Sequence, residues 1–200
     1  MESSHTTSPI PDWHSRGYLP HVENMRLQMV TFRLYDTVPQ KVLERWKEDE
    51  IAEDNKETIS KLQKLILEYD DNGYGSCLLQ NPLIAELSER TLLYDDGKKY
   101  DMVRWCIMPN HVHVLINVKD GRSVSDIVQT WKSVISHKAN KILQRQGHFW
   151  MHEYHDRYIR DEIHLSKAIQ YIDNNPVKAG LAQIPRDWRW STAGYMSLRK

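Results

Sequence analysis

Apolar residues recur at two spacings along this chain, and the switches between the spacings outline its elements. Arg26 to Tyr35 (RLQMVTFRLY) alternates, with Val30, Phe32 and Leu34 on one face, so it predicts a strand ended by Asp36-Thr37-Val38-Pro39. From Pro39 to about Tyr69 the spacing turns helical through Val42, Leu43, Trp46, Ile59, Leu62, Leu65 and Ile66. The acidic stretch Glu48 to Glu57 interrupts that helix, and Asp70-Asp71-Asn72-Gly73 is a turn. Tyr74 to Leu79 reads as a short strand or extended loop, and Pro82 starts a helix ending near Tyr94. After the Asp95-Asp96-Gly97 turn, Tyr100 to Ile107 is strand-like, and Met108-Pro109-Asn110 turns it back onto His111 to Ile116 as a hairpin. Ser123 caps a long amphipathic helix (Val124, Ile127, Val128, Trp131, Val134, Ile135, Ile142) that Gly147 ends. His148 to Ile159 is aromatic-rich and mostly extended; Asp161 opens a last helix, through Leu165, Ala168, Ile169 and Ile172, stopped at Asn174-Asn175-Pro176.

In order this is β-α-β-β-α-β with an extra C-terminal helix, which predicts an α+β, ferredoxin-like fold around a central antiparallel sheet. We divide the chain into an N-terminal tail, 1–24, and one domain, 25–200, with an acidic, mostly helical insertion at about 40–98. Trp13, Tyr18 and Leu19 are the tail's means of docking. The two cysteines, Cys77 and Cys106, exclude a disulfide framework and fit a reducing cytoplasm. No apolar run is long enough to span a membrane, and the Ser/Thr-rich start lacks a signal-peptide core. The formal net charge of zero conceals an asymmetry. Residues 1–40 hold 3 Lys/Arg against 4 Asp/Glu, residues 41–100 hold 9 against 14, and residues 101–200 hold 15 against 9. The basic half is the half with the histidine pair, as a phosphate-binding half should be.

On the strand after the Met-Pro-Asn turn, His111 and His113 project from one face and valines from the other. Two imidazoles fixed this way can hold a divalent metal with positions left open; they can also be half-exposed polar positions on a sheet. On the last helix Tyr171 and Asn175 share a face, four residues apart. A tyrosine hydroxyl beside a metal-bound phosphate is a nucleophile, and an amide oxygen suits a hard cation such as Mg²⁺ or Mn²⁺. The plain alternatives are an interfacial helix tyrosine and an N-cap for a short helix begun by Pro176. For DNA, Lys132, Arg157 and Arg160 are candidate phosphate contacts and Trp150 a candidate stacking surface; Trp131 falls on an apolar helix face and reads as core.

Four blocks in order, MPNHVHVLI, the WKS helix, FWMHEYHDRYIRDE and YIDNNPVKAGL, resemble the REP-associated tyrosine transposases. These belong to the single-tyrosine branch of the HUH (His-hydrophobic-His) endonucleases. The resemblance spans roughly Met25 to Trp190. It implies a ferredoxin-like core with the HUH pair on a central strand and the catalytic tyrosine on the following helix. Carried over, His111 and His113 are metal ligands, Tyr171 the nucleophile and Asn175 the third ligand. The implied reaction is cleavage and strand transfer of single-stranded hairpin or palindromic-repeat DNA through a 5′-phosphotyrosine, with Mg²⁺ or Mn²⁺, as a monomer rather than a homodimer. The long acidic region and the tail depart from the family pattern. Histidine-triad nucleotide hydrolases need a third histidine where Leu115 stands, and a structural zinc site finds no suitably spaced cysteine. A domesticated hairpin-binding protein without catalysis is the remaining alternative.

Overall fold

The computed structural model describes residues 13–15, 20–22, 25–39, 41–44 and 56–198. Its centre is a four-stranded, wholly antiparallel sheet built from β3 (Leu27–Arg33), β4 (Tyr100–Ile107), β5 (His111–Val118) and β6 (His155–Tyr158), in the order β4-β5-β3-β6. With helices between the first and second and between the third and fourth of these strands, this is the predicted ferredoxin-like arrangement. A separate pair, β1 (Trp13–Ser15) with β2 (Pro20–Val22), precedes it. So this part of the expected tail is built into the protein: His21 is buried and its Nδ1 lies 2.6 Å from Asp156 Oδ1 of β6. Residues 1–12, Tyr18, Leu19, and the 45–55 stretch with Trp46 and most of the acidic run lie outside the described residues.

Both faces of the sheet are covered, by different helices. Val30, Phe32, Val112, Val114 and Ile116 pack with Ile84 and Leu92 of α2 (Pro82–Leu93) and with Ile127, Val128, Trp131 and Ile135 of α3 (Val124–Ile142). The Trp131 indole donates to Tyr100 Oη at 3.0 Å, and that hydroxyl donates to Leu92 O at 2.6 Å, satisfying both polar atoms in the core. On the other face Cys106, Met108 and Leu115 meet Ala168 and Ile172 of α4 (Glu162–Lys178). A bulge between Met102 and Arg104 switches the alternation of β4, so Tyr100 and Met102 face α2 and α3 whereas Arg104 and Cys106 face α4. Arg104 uses that placement to reach Asp173 of α4, at 3.5 Å.

Several boundaries differ from the sequence expectation. Helix α3 stops at Ile142, before Gly147, because Gln144 adopts a left-handed φ of 50° and Arg145 N returns to Asn140 O. Helix α4 runs through Pro176 to Lys178, so Asn175 is an interior helical residue and no N-cap. Proline there costs one intrahelical donor, yet Pro176 and Asn175 are buried and Leu181 N closes back onto Pro176 O at 2.8 Å. Tyr74 to Leu79 is a loop leading into a 3₁₀ turn, Leu78–Gln80. Of His148 to Ile159, the strand proper is β6, with one bridge from Trp150 to Leu34.

The outer edge of β4 is also closed. Ile107 N donates to Trp190 O, Trp105 N to Thr192 Oγ1 and Met102 N to Asp96 Oδ1, while the Trp188 indole donates to Ile107 O. This brings in the short α5 (Thr192–Ser197).

The helical region before β4 is clamped to the sheet by one buried ion pair. Arg33, at the end of β3, donates from Nε and Nη2 to the Asp70 carboxylate of α1 (Lys56–Asp71) at 2.9 to 3.1 Å, with both side chains 1% exposed. Removing one partner strands the other charge in the interior. Asp70→Ala is expected to cost about 3–5 kcal/mol in urea unfolding, and the paired change Arg33→Met with Asp70→Leu far less. An Asp70→Ala protein within about 1 kcal/mol of wild type would show that the clamp carries no stability.

Candidate active site between β5 and α4

The site follows from the alternation of β5. Its even positions are claimed by the core, so His111 and His113 are forced onto the face covered by α4, and both are fully buried. Their Nε2 atoms lie 2.9 Å apart. Helix α4 is capped by Asp161, whose side chain accepts from His164 N, and lies apolar side down through Ala168 and Ile172. That rotation brings Asn175 Nδ2 to 3.2 Å from His113 Nε2 and the Tyr171 ring to 5.2 Å, edge-on, from the His113 ring. Four residues named from the sequence thus converge. Tyr171 is half-buried, at the margin of the cluster.

The outer nitrogens of the imidazoles are also held. His111 Nδ1 is 2.7 Å from Asn110 Oδ1, and the Asn110 amide is oriented by donating from Nδ2 to Tyr74 O at 3.0 Å. His111 Nδ1 therefore carries the proton and donates, which leaves Nε2 with its lone pair facing inward. His113 Nδ1 is 2.7 Å from Thr31 Oγ1, a hydroxyl able to donate or accept. When Thr31 donates, His113 carries its proton on Nε2 and shares it with His111. When Thr31 accepts, both inner lone pairs face the same point. Burial is the main cause that drives the His111 pKa down to about 3, with the Arg33 charge second; burial and the His111 charge hold His113 well below its usual value. Both rings are neutral at physiological pH, the form in which imidazole binds metal.

Two neutral imidazoles with an amide beside them are a donor set that fits a divalent cation. Nε2 atoms 2.9 Å apart and facing each other could both be donors to one cation, His111 through its inward lone pair and His113 in the tautomer whose Nδ1 donates to Thr31. A half-turn of the Asn175 amide places Oδ1 where Nδ2 stands and completes two nitrogens and an oxygen. No group of three His, Cys, Asp or Glu side chains suited to a metal occurs among the described residues, and the Asn175 amide beside the pair is a side chain that could add a third donor.

The proposed DNA contacts divide. Arg157 and Arg160 are exposed near the N-terminus of α4, open to phosphate. Trp150 is no stacking surface: it is 6% exposed, edge-on to Phe32 at 4.9 Å, and its indole donates to Lys132 O. Lys132 is no free phosphate contact either, because its ammonium donates to Met151 O and His152 O, both at 2.7 Å. Burial lowers its pKa to about 8. Trp131 is core, as expected. The sequence reading missed Asn110, taken only as a turn residue, and Thr31 and Arg33. A signal for the last two existed: they are polar residues in alternation on the strand face opposite Val30, Phe32 and Leu34.

Comparison with known proteins fits this geometry. The profile of the family described as transposase IS200 like matches residues 76–175, half of the chain, from before β4 to Asn175. The chain belongs to that transposase family. A Haemophilus influenzae protein named as a REP-associated tyrosine transposase is 26% identical over 103 residues, 46% of this chain and 58% of its own length. This chain therefore spans a little over half of that relative. A solved structure of a REP-associated tyrosine transposase bound to a REP hairpin superposes with a TM-score of 0.55 at 16% identity, over 93% of this chain and 85% of the other. It has the same fold.

A depressed histidine pKa has a pH signature. Below about pH 6.5 the unfolded chain takes up protons that buried His111 and His113 and half-buried His155 refuse, so the native state loses stability as pH falls toward about 3. NMR of the imidazole nitrogens should show His111 neutral at pH 5, with the urea midpoint dropping between pH 6.5 and 5. A His111 titration near 6.5 would overturn this assignment.

Proposed function

We propose that this protein cleaves and rejoins single-stranded hairpin DNA, with Tyr171 as nucleophile. The observation that carries the reading is the placement of Tyr171: one helical turn from Asn175, its ring against His113, at the margin of the buried histidine pair. Family membership supports DNA cleavage, and the hairpin bound by the structural neighbour supports the substrate class.

The chemistry balances without a co-reactant. Tyr171 Oη forms a bond to the scissile phosphorus, the bond from phosphorus to the 3′ oxygen breaks, and the phenolic proton ends on that oxygen. The products are a 5′-phosphotyrosine and a free 3′-hydroxyl. Attack by a second 3′-hydroxyl reverses the step and returns the tyrosine, transferring the strand without ATP. His111, His113 and Asn175 would hold Mg²⁺ or Mn²⁺, which when bound supplies polarisation of a phosphoryl oxygen and eases ionisation of the phenol. Thr31 and Asn110 fix the two imidazoles, Arg157 and Arg160 hold flanking phosphates, and α4 presents the hydroxyl with the positional accuracy such a displacement needs. The closed outer edge of β4 supports action as a monomer, since sheets cannot be joined there.

Tyr171→Phe removes one oxygen and should leave fold and hairpin binding intact. Wild type incubated with labelled hairpin DNA and Mn²⁺ should give a denaturant-resistant adduct, and the variant none. An adduct on the variant would assign the nucleophile elsewhere; no adduct from wild type on any hairpin would favour a binding module. Excess EDTA, or His111→Ala with His113→Ala, should lower cleavage at least 100-fold. Thr31→Val should weaken Mn²⁺ binding by about 10- to 100-fold in calorimetry.

A further inference from the structure

Helix α4 does not end at its proline, and the turn beyond Pro176 adds a third polar side chain to the face that carries Tyr171. Tyr171, Asn175 and Lys178 stand at i, i+4 and i+7, the spacing of one helical stripe. Asn175 reaches His113 and the Tyr171 ring lies against the same imidazole, so the stripe faces the histidine pair. Lys178 is exposed, and Gly180, with φ 70°, closes the helix just after it. Helical side chains tilt toward the N-terminus, so the Lys178 stem leans back over the turn that holds Asn175. Two arginines on this side of the sheet are engaged elsewhere, Arg33 by Asp70 and Arg104 by Asp173. Arg157 and Arg160 lie near the other, N-terminal end of α4.

We propose that the Lys178 ammonium faces the leaving 3′ oxygen of the scissile strand and stabilises the negative charge that develops there. The reaction itself is taken from the proposed function. An in-line displacement puts the attacking and leaving oxygens on opposite sides of phosphorus. Along the stripe the order is nucleophile, amide beside the histidines, then cation, separated by axial rises of about 6 and 4.5 Å. A phosphoryl group level with Asn175 therefore has Tyr171 on one side and Lys178 on the other. The bonds made and broken are unchanged: Tyr171 Oη joins phosphorus, the 3′ oxygen departs, and the phenolic proton ends on that oxygen while the ammonium keeps its own protons. In strand transfer the same ammonium stabilises the second 3′-hydroxyl as it ionises and attacks. A lysine in a last turn also complements the helix dipole, and an exposed lysine attracts DNA phosphates. Neither of those roles depends on which atom leaves.

Replacing the bridging 3′ oxygen by sulfur separates the roles, because a thiolate leaves without help from a cation. In the full-length protein, with Mn²⁺ and saturating hairpin DNA, Lys178→Met should slow formation of the Tyr171 adduct about 100-fold on the oxygen substrate. Hairpin affinity should stay nearly unchanged, and on the sulfur substrate the variant should react almost as fast as wild type. Lys178→Arg, which keeps the charge, should recover most of the rate on oxygen. An equal loss on both substrates, a loss confined to affinity, or an undiminished rate on oxygen overturns the assignment and leaves the cleavage reading standing. No adduct from wild type on either substrate refutes the cleavage reading and the assignment with it.

Discussion

Two neutral imidazoles facing each other at 2.9 Å, with no exposure to water, constrain everything around them. Inward lone pairs repel unless a proton or a cation lies between them, so what each outer nitrogen does decides what the pair can hold. Asn110 fixes His111 as the acceptor, and Thr31 leaves His113 free to take either tautomer. Their placement needs β3 beside β5, and Asn110 in turn needs the carbonyls of the loop after α1. The Arg33 clamp to Asp70 holds that helix end to the sheet, and its charge discourages protonation of either ring.

Much of this was legible in the sequence because it depends on periodicity. Alternation marked β3 and β5, the 3.6-residue spacing marked α3 and α4, and an i, i+4 pair put Tyr171 and Asn175 on one face. The parts that were not legible depend on contacts distant in sequence or on broken periods. Asn110 looks like turn chemistry until three remote carbonyls claim its amide. The bulge at Val103 reverses the faces of β4, which no regular reading of YDMVRWCI shows. Trp150 and Lys132 were chosen by residue type; one ring fills the core against Phe32, and one ammonium holds two loop carbonyls. Pro176 signals a helix end, yet the buried seat of the last turn outweighs the lost donor.

The two faces of the sheet differ in what they offer. Its α4 face is dry and presents neutral donors beside a phenol, and its α3 face carries charge and hydroxyls outward.

The strap from Trp188 to Thr192 lies against β4 and uses main-chain groups that strand would otherwise offer to a neighbour. The strap thereby covers this edge of the sheet. A protein truncated just before Trp188 would retain His111, His113, Tyr171 and Asn175 while baring the main chain of β4 for pairing with another strand. Fusions joined there in place of the strap would inherit the same hazard, whereas extensions added after the strap would leave the seal intact.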